Sequence, residues 1–136
     1  MKVVLDTNAL LMCIAKKSDY RLIFDKLIEG TYSIAITNEI LNEYTEIIER
    51  KTNARVANNI AEFLAEQPNV EKIEAHFKWN LIGADEEDNK FVDCAVIARA
   101  KYIVTNDRHF NILKTIPFPK VDIVNIDEFL EEIQQL

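Results

Sequence analysis

Glycine and proline are scarce in this chain of 136 residues, which holds two of the first and three of the second. That leaves no Gly/Ser- or Pro-rich linker, no low-complexity tract and no repeat, so one compact domain over residues 1–136 is expected. No apolar run approaches the roughly 20 residues that span a bilayer, and the first residues lack the basic, apolar and small-residue order of a signal peptide. A cytoplasmic protein with no membrane segment is the expectation. The two cysteines, Cys13 and Cys94, lie in apolar helix-like stretches without a CxxC pair or a histidine cluster, and read as buried free thiols. With His76 and His109 as the only histidines, a zinc site has no support, and His109 near a helix start reads as a capping or surface residue. P-loop and GxGxxG patterns are absent too, which removes nucleotide-cofactor binding. Positive charge is short: 16 Lys and Arg face 23 Asp and Glu, for a net charge of −7. A broad basic surface for duplex nucleic acid is therefore excluded, whereas a nucleic-acid enzyme whose acids bind metal ions, which in turn bind phosphate, is not.

The chain does hold alternating strands and helices. KVVLD at residues 2–6 is a short apolar, β-branched run ending in an acid, and reads as a buried strand. Helical spacing follows over Tyr20–Leu27, with Gly30 placed as a stop. TYSIAI (31–36) is a second strand. TNEILNEYTEIIERK (37–51) is a helix capped by Thr37 or Asn38, with Ile40, Leu41, Tyr44, Ile47 and Ile48 along one apolar stripe. NARVANNIAEFLAEQ (53–67) is another amphipathic helix, ended by Pro68, and NVEKIEA (69–75) is a weak strand candidate. DEEDNKFVDCAVIARA (85–100) is an acidic cap feeding a helix apolar almost all round. KYIVT (101–105) is a strand, NDRHFNILK (106–114) begins a short helix, VDIVN (121–125) is the last strand and IDEFLEEIQQL (126–136) the closing helix. Such alternation implies an α/β fold, a mostly parallel sheet with right-handed crossovers and helices on both faces. In these sheets the ligand site lies beyond the carboxyl ends of the strands, where strand order reverses.

Acids recur at those ends. Asp6 closes the first strand, Asp107 follows KYIVT by two residues, Asp88 heads the apolar helix, and Glu43 lies on the helix after the second strand. Asp88 and Asp107 each also suit a plain N-cap, and Glu43 shares its helix with Glu39, Glu46 and Glu49. Asp6 is harder to explain that way, because a buried carboxylate costs several kcal/mol, on the order of its lost hydration, unless it is paired or binds a metal. Carboxylates gathered in one crevice repel each other unless a cation offsets them, and hard oxygen ligands suit Mg²⁺ or Mn²⁺. An ion held there lowers the pKa of a bound water and stabilises a departing oxygen, which is the chemistry of phosphodiester hydrolysis. An aspartyl-phosphate route, by contrast, needs a second Asp two residues beyond Asp6, where this chain has Asn8. A phospho-receiver domain needs a lysine at a later strand end, where Asn106 and Asp107 stand.

VVLDTNALL, EILNEYTEII, EEDNKFVDCAVIARAKYIVTNDRHF and VNIDEFLEEI together resemble, in order and spacing, the PIN domain, and most of all the stand-alone prokaryotic PIN proteins that are toxins of toxin–antitoxin pairs. The resemblance runs nearly end to end and implies a single PIN-like domain, a three-layer α/β/α sandwich. It further implies a metal-dependent endoribonuclease acting on single-stranded RNA, an antitoxin partner and a homodimer. Carried over by position, Asp6, Glu43, Asp88 and Asp107 match the family's acidic quartet, and Thr7, Asn8, Thr105 and Asn106 the polar residues that brace it. Asp93, about 140° round the helix from Asp88, either reaches the metal or pairs with Lys90 on the surface. Asp85, Glu86 and Glu87 read as solvated loop acids. Phe118, between Pro117 and Pro119, is expected to plug the edge of the core or, if exposed, to stack a base. Lys16, Lys17, Arg21, Arg50, Lys51, Lys90, Arg108 and Lys114 read as scattered surface cations, a few of which must flank the acids if RNA is to dock. The rival reading is a non-catalytic PIN-like module that binds RNA or protein.

Overall fold

The computed structural model describes residues 1–76, 78–83 and 86–136, with Glu86 described by its backbone alone. The expectations for Asp85 and for the Glu86 side chain lie outside the described residues.

Among the described residues five parallel strands form one sheet: β1 (Lys2–Leu5), β2 (Ser33–Ile36), β3 (Val70–Lys72), β4 (Tyr102–Val104) and β5 (Ile123–Val124). Their order is β3-β2-β1-β4-β5. The chain thus winds outward from β1 in one direction, returns, and winds outward in the other, so the strand order reverses between β1 and β4. Val3, Val4, Leu5, Ile34, Ala35, Ile36, Ile103 and Val104 are all buried, as strands covered on both faces require.

Helix α1 (Thr7–Ile14) follows β1 at once, α2 (Arg21–Glu29) leads into β2, α3 (Asn38–Lys51) and α4 (Ala54–Glu66) connect β2 to β3, α5 (Asn89–Ala98) precedes β4, and α6 (Ile126–Gln134) closes the chain. Helix ends fall where the chemistry of their residues puts them. Gly30 ends α2 in the left-handed region at φ 80°, the Thr37 hydroxyl accepts the Ile40 N–H to begin α3, and Asn53 does the same for Val56 in α4. Asn125 and Glu128 make a reciprocal capping box on α6. Arg99 ends α5 at φ 55°, a conformation that glycine adopts at less cost. α5 packs on β1, β2 and β4, α2 packs on both α1 and α6, and α3 packs on α4, α1 and α5. This is the expected α/β/α arrangement. No helix among the described residues is long and apolar enough to cross a membrane.

Cys13 and Cys94 are buried free thiols, and burial pushes both up to about 12, leaving them inert at neutral pH. The stretch expected as a short helix after β4 is a 3₁₀ helix, Arg108–Thr115. Phe118 does not plug the core edge. It is 82% exposed, whereas Phe110, Leu113 and Val121 on either side of it in the chain are buried.

Candidate functional site

The strand order brings the carboxyl ends of β1 and β4 side by side, and with them Asp6 and the run Thr105-Asn106-Asp107. Asp6 holds the N-cap position of α1, yet its side chain makes no capping bond. Instead its Oδ2 accepts a hydrogen bond from the buried Thr105 hydroxyl at 2.8 Å, and that hydroxyl accepts the Asp107 N–H at 3.0 Å. One threonine therefore ties the two strand ends together. Burial pushes the Asp6 carboxyl up to about 6 from its ordinary 3.8. The Thr105 hydrogen bond and the Thr7 backbone oppose the rise, and the charges of Asp107 and Glu43 add to it. Asp6, Asn8, Asn106 and Asp107, with Ala9 and Met12, line a small cavity of about 200 Å³.

Glu43 arrives from α3, which is fastened to the end of β1 by the buried Tyr44 hydroxyl donating to the Leu5 carbonyl. Its carboxylate is held twice: Oε2 accepts from the Thr7 hydroxyl, and Oε1 lies 2.7 Å from the Lys90 ammonium of α5. Lys90 thus leaves the set of surface cations and becomes the counter-ion of the site.

Asp88 stands at the start of α5 without making a capping bond, so the plain N-cap reading does not describe it. Asp107 does cap its 3₁₀ helix, accepting the His109 N–H at 2.9 Å. That cap aims the imidazole inward. His109 Nδ1 lies 3.4 Å from Asp107 Oδ1 and 3.6 Å from Asp88 Oδ2, and the three residues offer ligand atoms within 4.8 Å of one another. The half-exposed His109 is the residue that sequence reasoning passed over as a cap or surface group. The signal for it was present in NDRHF, where a cap at Asp107 fixes the backbone two residues on.

Asp93 is buried, not a surface partner of Lys90. Its Oδ1 accepts the Trp79 N–H at 3.0 Å, while Asn89, also buried, exchanges two 2.9 Å hydrogen bonds with the backbone of Ile82. These two side chains fasten residues 79–82 to α5. Burial raises the Asp93 carboxyl above its ordinary range. Among the described residues the carboxylates that converge with His109 are Asp88 and Asp107. Asn106, which lines the same cavity as Asp6 and Asp107, accepts the Ile126 N–H at 3.0 Å and so ties the start of α6 to the end of β4. Glu87 is exposed, as expected. Arg108, Asn111 and Lys114 flank Asp107 along a polar cleft beyond the ends of β4 and β5, whereas Arg21 and Arg50 pair with Asp25 and Glu46 elsewhere.

Buried Asp6 bonded to Thr105, at the end of a parallel sheet and next to Asp107, which in turn converges with Asp88, fits the sequence resemblance, and the profile of the PIN domain matches residues 2–109. The chain belongs to the PIN domain family. Its fold is similar to that of VapBC2 from Rickettsia felis, solved bound to a DNA fragment from their promoter (TM-score 0.63, 18% identity, covering 92% of this chain and 98% of that one). It is similar too to DNA-bound VapBC from Salmonella typhimurium (TM-score 0.62, 20% identity, 93% and 98%) and to the PIN domain endonuclease Utp24 (TM-score 0.52, 19% identity, 91% and 84%). At these identities the likeness is one of fold. No curated protein sequence matches the chain. The donor set of this PIN domain, carboxylate oxygens with one imidazole nitrogen, fits a divalent metal ion.

Proposed function

We propose that this PIN domain is a metal-dependent endoribonuclease that hydrolyses phosphodiester bonds of single-stranded RNA, and that it serves as the toxin of a toxin–antitoxin pair. The observation that carries the reading is the convergence of Asp88 and Asp107 at the sheet's switch point, next to an Asp6 whose burial disfavours its charge. Mg²⁺ or Mn²⁺ held by Asp6, Asp88 and Asp107 would supply an activated water and charge neutralisation at the departing oxygen. The chain's own groups set the stage. Thr105 orients the Asp6 carboxylate and Thr7 that of Glu43, so that each presents a fixed oxygen. Lys90 keeps a positive charge at the site, and Arg108 and Lys114 along the adjoining cleft offer phosphate contacts that the acidic chain otherwise lacks. In this reading Asp93 is a positioning residue that holds residues 79–82 on α5, not a metal ligand.

The fold likeness to VapBC supports an antitoxin protein as partner, and a cytoplasmic homodimer is the form in which we expect the toxin to work. The test is incubation of purified protein with total cellular RNA in Mg²⁺ or Mn²⁺, with and without EDTA, followed by end-group analysis. Attack by water gives a 5′-phosphate and a 3′-hydroxyl, whereas attack by the RNA's own 2′-hydroxyl leaves a 2′,3′-cyclic phosphate. No metal-dependent cleavage, together with equal growth of cells expressing wild type and Asp6→Asn, would overturn the enzyme reading and leave a binding module.

A further inference from the structure

The imidazole of His109 has no place in the acidic quartet, yet it is aimed into it. Its backbone N–H is fixed on Asp107 Oδ1, and the ring nitrogen Nδ1 then lies 3.4 Å from that same oxygen and 3.6 Å from Asp88 Oδ2. Good N–H···O hydrogen bonds are shorter, at about 2.7–3.2 Å. Neighbouring donors on an ion with bonds of about 2.1 Å stand about 3 Å apart. Both separations from Nδ1 thus lie beyond good hydrogen-bonding distance and within about half an ångström of the spacing of donors around a cation, and the ligand atoms of the three residues lie within 4.8 Å of one another. A contraction of a few tenths of an ångström completes it. Half-exposed and carried by a short 3₁₀ helix, the ring can make that shift without disturbing the core.

Resting on the reading that the cluster binds a divalent ion, we propose that His109 supplies a nitrogen ligand through Nδ1 beside Asp88 and Asp107, and that the resulting oxygen, oxygen, nitrogen face selects Mn²⁺ over Mg²⁺. Mg²⁺ is hard and reluctant to exchange water for nitrogen, whereas imidazole suits the first-row transition ions. The neutral ring must then carry its proton on Nε2, leaving the Nδ1 lone pair for the ion.

The test adds Mn²⁺ alone to the metal-free full-length protein carrying ¹⁵N-histidine, and reads the ion by pulsed electron paramagnetic resonance. A directly coordinated imidazole nitrogen is expected in wild type and in His76→Gln, whose histidine sits in an exposed pair with Glu74, and is expected to vanish in His109→Gln. Titration calorimetry should show His109→Gln binding Mn²⁺ at least about tenfold more weakly, with a smaller change for Mg²⁺. Mn²⁺ bound with no coordinated nitrogen in wild type would overturn the assignment of His109 and leave the metal site standing. Failure of wild type to bind either ion would overturn both.

Discussion

Asp6→Asn should make the metal-free protein more stable, a sign opposite to that of most changes at buried positions. In the folded chain burial holds the Asp6 carboxyl at about 6, against an ordinary 3.8 in the unfolded one. Below pH 3.8 the group is protonated in both states and costs nothing. Between 3.8 and 6 the unfolded chain gives up its proton while the folded one retains it, so stability falls as pH rises. Above 6 both are ionised and the full cost of a charged, buried Asp6 remains. At about 1.4 kcal/mol per tenfold change that cost is about 3 kcal/mol. Asn avoids it, and its side-chain oxygen can still accept the Thr105 hydroxyl that Asp6 accepts at 2.8 Å. In a domain of this size about 3 kcal/mol is on the order of 10 °C in Tm. Thermal melts in EDTA should therefore show the variant about 10 °C above wild type at pH 8 and level with it at pH 4. Adding Mn²⁺ should narrow or reverse the gap at pH 8, because an ion that binds the native state stabilises it by mass action and the variant binds it poorly. A variant no more stable than wild type at pH 8 in EDTA would refute the claim that Asp6 is held charged at the fold's expense.

The remaining expectations test neighbouring parts of the site and its frame. Asp88→Asn should abolish RNA cleavage while Asp93→Asn retains most of it, since Asn at 93 still accepts the Trp79 N–H; the opposite ranking in a cleavage assay would move the metal ligand one and a half turns along α5. Arg99→Gly should raise stability in urea unfolding by about 1 kcal/mol, because Arg99 is exposed and held at φ 55°, where a side chain is strained and glycine is not.

The parts of the fold visible in the sequence are those set by local pattern. β-Branched runs marked β1, β2 and β4, and Gly30, Thr37 and Asn53 sit at helix ends because their chemistry serves there. Asp6 was conspicuous since an acid bordered on both sides by apolar residues has few stable environments. Partnership was not visible. That Lys90 faces Glu43 follows from how α5 crosses α3, and that Asp93 grips Trp79 follows from a chain segment with no periodicity of its own. His109 was missed for a related reason: its spacing from Asp107 is local, but its second neighbour, Asp88, is brought in by the return of the chain across the sheet.

Lys90 follows Asp88 by two residues and His109 follows Asp107 by two, so the same elements that bring the acids together bring a basic side chain with each. The compensation is uneven. Glu43 has the Lys90 ammonium at 2.7 Å, whereas Asp6 has a hydroxyl and two acidic neighbours. Removing one negative charge should therefore have opposite effects at the two positions. Glu43→Gln keeps an oxygen for the Thr7 hydroxyl but leaves Lys90, 14% exposed, without its partner. A broken ion pair in a buried setting costs about 3–5 kcal/mol, and the partial solvent access of this one reduces that to about 1–2 kcal/mol. In EDTA at pH 8, Glu43→Gln should thus melt below wild type and Asp6→Asn above it. The same direction for both would mean that the acids feel one shared field in which Lys90 has no particular allegiance, and that the metal-free site is not divided between a neutralised half and an open one.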